Sequence, residues 1–178
     1  VPKLKGLGGT ASFQLKLIQG LEERNIPWTF ELNHPANNAV LVIAGTRHLW
    51  QLSRAKRRGV KIVQRLDGIN WIHRVEPTPI KGFLRAEINN RILAYIRRHI
   101  ADEIVYQSQF SQGWWNRVFK TTPLPSSVVY NGIDLEKYTP RGSQTPPENH
   151  FRILLVEGHL SGLYTRGLEA AARLAKDV

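Results

Sequence analysis

Neither cysteine nor methionine occurs in the chain. The first absence excludes disulfides and thiolate metal sites and is compatible with a reducing compartment. The second bears on the start of the chain: a natural polypeptide normally begins with methionine, so Val1 reads as the start of a fragment or a trimmed product. No run approaches the roughly 20 apolar residues of a membrane-spanning helix, and no charged-then-apolar leader opens the sequence. The histidines at 34, 48, 73, 99, 150 and 159 are scattered without a paired ligand spacing, so no metal site is expected.

Acidic residues are also scarce. Fourteen Asp and Glu stand against 25 Lys and Arg, for a formal charge of +11 and a pI near 10.3. Such a balance favours anionic partners, whether nucleotides, nucleic acid or an acidic lipid surface, and does not choose among them. The charge concentrates between Arg47 and Arg98, where thirteen Lys or Arg face only Asp67, Glu76 and Glu87. A solvated, solubilising face gives the same pattern, and that reading stays open.

What the chain does have is glycine at its beginning. In Gly6-Leu7-Gly8-Gly9-Thr10-Ala11-Ser12-Phe13, three glycines run into the apolar-periodic Phe13, Leu17, Ile18 and Leu21. A tight loop feeding a helix N-terminus presents unpaired N–H groups at the positive end of the helix dipole and suits a phosphate. A loop that merely turns the chain would look the same.

The pattern that follows alternates strand and helix. A helix is predicted over about 12–24 and a short strand over 28–32. The unbroken apolar run Ala39–Ala44 predicts a strand covered on both faces, as in parallel sheets. A helix over 48–58 ends in Lys56-Arg57-Arg58 before Gly59, which is favourable termination chemistry. The strand 61–66 delivers Asp67-Gly68-Ile69-Asn70-Trp71 to its carboxyl end, where open α/β sheets bind ligands.

A proline-bearing loop over 76–82 precedes a helix over 84–99 expected to bury Ile88, Ile92, Ile96 and Ile100 while displaying Arg91, Arg97 and Arg98. That pattern fits both a helix covering a sheet and one lying on an anionic membrane. A strand over 103–107, an N-cap at Ser108, a helix over 110–119 with core tryptophans Trp114 and Trp115, and a strand over 128–130 complete the series. Residues 141–150 are polar and proline-rich, as a linker would be. A further strand over 151–156 and a helix over 168–176 begin a second domain. The organisation expected is a first domain over 1–140, a linker over 141–150, and the truncated start of a second over 151–178. The fold class is α/β, a Rossmann-like parallel sheet flanked by helices, expected to lack its first strand.

Three segments carry a specific resemblance. Val129-Tyr130-Asn131-Gly132-Ile133-Asp134 followed by Tyr138-Thr139-Pro140 is similar to the "PNGVD…F.P" segment of glycosyltransferase family 4. Gly8-Gly9-Thr10 resembles that family's first loop, and Ala101-Asp102-Glu103-Ile104-Val105-Tyr106-Gln107-Ser108 its "ADxVIxxS" strand. The three occur in the family's order and span most of the chain. The resemblance implies the N-terminal half of a GT-B fold, two Rossmann-like domains facing a cleft. It departs in places: Leu66 stands where the family often has histidine before Asp67, and His159 and Arg166 stand where its "GRL…KG" segment has Arg and Lys.

The resemblance further implies a metal-independent, retaining transferase that takes a nucleotide sugar as substrate and needs no cofactor; the missing leader and span make the cytoplasm the expected location, and the basic helix over 84–99 leaves peripheral contact with an anionic membrane open. Gly8, Gly9, Thr10, His159 and Arg166 would face the donor. Arg65, Asp67, Asn70 and His73 would face the acceptor, a glycan or a lipid-linked saccharide. Nucleic acid is not an expected partner, no catalytic residue is assigned, and the visible chain is expected to be inactive alone. Asp67 before Gly68 and Asn131 before Gly132 are also ordinary turn formers. The alternatives are a basic α/β domain that binds nucleic acid or an anionic surface without catalysis, and a catalytically silent interaction module.

Overall fold

The computed structural model describes residues 9–136, 138–139, 148–149, 154–156 and 165–177. Gly8, His159 and the first half of the strand expected over 151–156 lie outside them, as does the side chain of Arg166. The chain divides into two compact units, Val1–Asn131 and Gly132–Val178.

The first unit is α/β. Its elements are α1 (Gly9–Glu22), β1 (Ala39–Ile43), α2 (Leu49–Arg57), β2 (Lys61–Leu66), α3 (Ile72–Val75), α4 (Ile80–Tyr95) ending in a π-helical turn (Ile96–Ile100), β3 (Glu103–Tyr106), α5 (Gln109–Phe119) and β4 (Ser126–Val128). The four strands form one parallel sheet in the order β1-β2-β3-β4. Val40 stands opposite Ile62, Gln64 opposite Ile104, and Leu66 opposite Tyr106.

Because each strand lies beside its predecessor, right-handed crossovers put every connecting helix on the same face. The core agrees. Val40, Val42 and Ile62 pack with Leu52 and Ala55 of α2 and with Ile96 and Ile100 of the π turn. Leu66, Ile104 and Tyr106 pack with Leu93 of α4 and Trp115 of α5. On the other face, α1 lays the Phe13 ring over the Arg65 guanidinium, 3.7 Å from Cζ to the ring centroid.

β1, expected to be covered on both faces, buries Val40 and Val42 on the three-helix face and Ile43 on the opposite one, where Leu41 is only partly buried. The strand expected over 28–32 is irregular chain: the Asn37 amide donates to the Glu31 and Leu32 carbonyls at 2.8 and 3.2 Å, so a side chain replaces ladder pairing there. Trp28 packs edge-on against Phe30, with 5.1 Å between centroids.

The helix expected over 84–99 begins at Ile80, because Pro79 takes the N-cap position with φ −53° and starts the helix rather than breaking it. It ends in the π turn, where the Ala101 amide donates to the Ile96 carbonyl at 2.8 Å. Ile92, Ile96 and Ile100 join the core as expected. Ile88 does not; it faces away from the sheet and is half exposed. Arg97, expected on display, is buried and donates to Tyr106 Oη, the Lys120 carbonyl and Asn116 Oδ1 at 2.9, 2.9 and 2.6 Å. β4 ends at Val128, two residues short of the expected strand end.

In the second unit the Asp134 carbonyl accepts from the Tyr138 amide at 2.8 Å. A helix α6 (Thr165–Asp177) carries Arg166 in its first turn, and Leu154–Val156 is outside regular structure.

Candidate functional site

Parallel strands deliver their loops to one edge of the sheet, and here the loops after β1 and β2 enclose a cleft of about 720 Å³ with one flank of α4. Its lining includes Ala44, Gly45, Thr46, Asp67, Gly68 and Asn70, with Asn89, Ile92 and Leu93 from α4. The volume is that of a small-molecule site.

Hydrogen bonds from behind hold the β2 loop in place. The Asp67 carbonyl accepts from Ser111 Oγ at 2.7 Å and from Trp115 Nε1 at 2.8 Å, both on α5. Three residues on, fully buried Asn90 clamps Asn70. Asn90 Oδ1 accepts from the Asn70 amide at 3.0 Å and from Asn70 Nδ2 at 3.1 Å, while Asn90 Nδ2 donates to the Asn70 carbonyl at 2.8 Å. Asn70 Oδ1 has no partner among the described residues and is available to a ligand donor. Burial pushes the Asp67 carboxyl above its ordinary range, opposed by its own backbone amide and by the Arg65 charge.

Gly68 lines the cleft without a left-handed φ, and a Cβ there would meet nothing within 4 Å. Turn geometry does not demand this glycine; unobstructed approach to the backbone is what it provides.

The β1 loop is strained. Ala44 has φ +59°, its amide donates to the Arg65 carbonyl at 2.8 Å, and its carbonyl accepts from Gln64 Nε2 at 2.9 Å. Next to it, a Cβ on Gly45 would come within 3.3 Å of Leu93 Cγ, so a side chain there would push against the cleft wall. Beneath Ala44 and Leu93, Gln64 Oε1 is buried with no partner among the described residues, while its Nε2 serves both of their carbonyls. A left-handed alanine and an orphaned amide oxygen at one cleft edge are the kind of local cost that concentrates at functional sites.

Among the residues expected at the site, Asp67 and Asn70 line the cleft. Arg65 does not: it is buried on the other face, where Nη2 donates to Asn131 Oδ1 at 2.7 Å and to Gln107 Oε1 at 3.3 Å. Burial lowers its pKa and the Asp67 charge opposes that shift. Asn131 therefore has a definite role as a partner of Arg65, beyond that of a turn former. His73 lies outside the lining. It is buried with Nε2 2.8 Å from Glu87 Oε1 and its ring edge-on to Phe83, so it ties α3 to α4. Gly9 opens α1 and Thr10 follows it, four and three residues before the Phe13 that covers Arg65. At a helical rise of about 1.5 Å per residue, that places the α1 N-terminus within about 6 Å, along its axis, of the Arg65 contact.

The β1 loop and Asn90 were not anticipated. Gly45 closing an apolar run was a usable signal for the loop. Asn90 had none, since a mid-helix asparagine reads as solvent-facing until its neighbours are known.

Fold and cleft together define a Rossmann-like α/β domain with a ligand-sized cleft at the carboxyl ends of its strands. No protein-family model, curated protein or solved structure matches the chain.

Proposed function

We propose that this chain is the acceptor-side part of a retaining glycosyltransferase that moves a sugar from a nucleotide-sugar donor to an acceptor hydroxyl. The observation that carries the reading is the pairing of Asp67 and Asn70 on a loop pinned by α5 and Asn90, facing a cleft at the carboxyl ends of β1 and β2. The order of the three family-like segments supports it.

In this reading a raised-pKa carboxyl at Asp67 takes the hydrogen bond of the acceptor hydroxyl, and Asn70 Oδ1 accepts a second one. Arg65 acts from behind Asp67 as a fixed positive charge rather than as an acceptor ligand, and His73 supports the cleft wall through Glu87. Gly9 and Thr10, outside the cleft lining and on the Arg65 side, would contribute the positive end of the α1 dipole to the leaving diphosphate.

The test is to incubate the intact protein and its Asp67→Asn variant with a panel of nucleotide sugars and saccharide acceptors, following nucleotide release. One donor should turn over in the parent, and Asp67→Asn should lower kcat/KM for the acceptor by about a hundredfold or more. Stability should move the other way. A carboxyl whose folded pKa is raised makes its ionised form costly, so stability falls as pH rises from the ordinary carboxyl range through the raised value. The neutral amide removes that cost, and the variant should melt at or above the parent temperature at neutral pH. No turnover with any donor, beside tight and salt-sensitive nucleic-acid binding, overturns the reading.

A further inference from the structure

The inner face of α4 is accounted for by the sheet and the cleft; the outer face is not. At about 100° per residue, Ile80, Leu84, Ile88, Arg91 and Tyr95 fall within one sector of about 80°, a stripe about 22 Å long. The four apolar members are 72%, 53%, 50% and 49% exposed. A helix that merely covered a sheet would put polar residues there. The cations are placed around this stripe: Arg91 lies within it, Lys81 and Arg85 flank it, and Arg98 continues its line into the π turn, all exposed. Among the described residues no ion pair engages any of them. The single acidic residue of α4, Glu87, is held by Arg74 and His73.

We propose that this face of α4 docks on an anionic lipid bilayer. The helix lies parallel to the surface, its aliphatic stripe enters the boundary between headgroups and acyl chains, and the four cations meet lipid phosphates and carboxylates. Each half of the pattern selects this partner. Nucleic acid would satisfy the cations and leave the aliphatic stripe in water. A bilayer surface offers an apolar layer directly beneath a layer of negative charge, matching the radial order of the side chains. Among the described residues no helix is long and apolar enough to cross a membrane, so the contact is with a surface. The proposal does not depend on the activity proposed above.

The test is flotation of the full 178-residue chain with vesicles of phosphatidylcholine alone and with about 40% phosphatidylglycerol, at low and high salt. The parent should float with anionic vesicles only, and high salt should reduce binding without abolishing it. Two variants separate the contributions. Ile80→Ser/Leu84→Ser/Ile88→Ser should lower the partition coefficient about tenfold or more, since it removes three large apolar side chains from the contact. Lys81→Glu/Arg85→Glu/Arg91→Glu should lower it by at least as much and remove the preference for anionic lipid. All six positions are exposed, and far-UV circular dichroism and a thermal melt confirm that each variant folds. The salt and headgroup arms read the parent alone, so they stand even if a variant misfolds. Equal binding to neutral vesicles, no vesicle binding, or parental binding by a folded serine variant overturns the proposal. So does RNA binding unaffected by the serine substitutions in a chain that ignores vesicles.

Discussion

Glu87 is the most strongly perturbed carboxyl with a clear geometric cause. Arg74 Nε and Nη2 donate to it at 2.7 and 3.1 Å, and His73 Nε2 lies 2.8 Å from it. These contacts, that of Arg74 foremost, hold its pKa down to about 2 from an ordinary 4.5. A depressed folded pKa contributes stability that is fully present above the unfolded value and is lost as pH falls from about 4.5 through about 2. Glu87→Gln should therefore cost about 1–2 kcal/mol at neutral pH, and its deficit against the parent should shrink as pH falls through that window. Urea melts at pH 7, 4 and 2.5 check this; a deficit that stays constant to pH 2.5 contradicts it. His73 also shows what can be read one residue at a time. Its closeness in sequence to Asp67 and Asn70 made it a site candidate, but the short helix α3 turns it toward Glu87. Asp67 and Asn70 were legible because a position just after a strand fixes which end of the sheet a residue occupies. The Asn90 clamp and the left-handed Ala44 depend on tertiary neighbours that no local pattern encodes.

Elements were legible where their periodicity agreed with their packing. α1, α2, α5, β1, β2 and β3 fall within a few residues of expectation, and the Ser108 cap is made, with its hydroxyl accepting from the Ser111 amide at 3.0 Å. The departures occur where side chains took over the backbone's hydrogen bonds, as Asn37 does beside Glu31, or where the helical repeat changed, as in the π turn. The C-terminal end of α5 is a third case. Lys120 has φ +64° and ψ 167°, a region that only glycine occupies freely, and the Arg97 guanidinium holds its carbonyl there through a 2.9 Å bond. Such strain is of order 1–3 kcal/mol, whereas glycine's extra unfolded-state entropy is about 0.5–1 kcal/mol, so relief should win. Lys120→Gly should stabilise the chain by about 1 kcal/mol, read as a higher denaturation midpoint with an unchanged slope. A lower midpoint would mean that the lysine side chain contributes more than its backbone costs.

At the scale of the whole first unit, the sheet has two unlike faces. Three crossovers run in one direction across it, so α2, α4 and α5 share one face, while among the described residues α1 is the helix on the Arg65 side, beside the Gln107 and Asn131 contacts. The apolar runs of the strands concealed this, because composition reports that a strand is hydrophobic and not how many helices cover it. The asymmetry dictates an order of opening. Ile62, Gln64, Leu66 and Ile104 are fully buried under the three-helix face, so the central β2 and β3 amides should exchange only on global unfolding. α1 buries only Ala11 and Gln14 and lays Phe13 over Arg65, so it should open first, with edge strand β4, whose Ser126 and Ser127 are exposed, also opening below the global limit. Phe13→Ala removes the ring from a buried guanidinium and should speed exchange of the α1 amides by about tenfold or more while β2 keeps its rank as slowest. Hydrogen-exchange mass spectrometry on the parent and the variant reads both outcomes. If β2 accelerated in step with α1, the helix would belong to the cooperative core, and the N-terminal turn proposed for the donor side would be as rigid as the sheet beneath it.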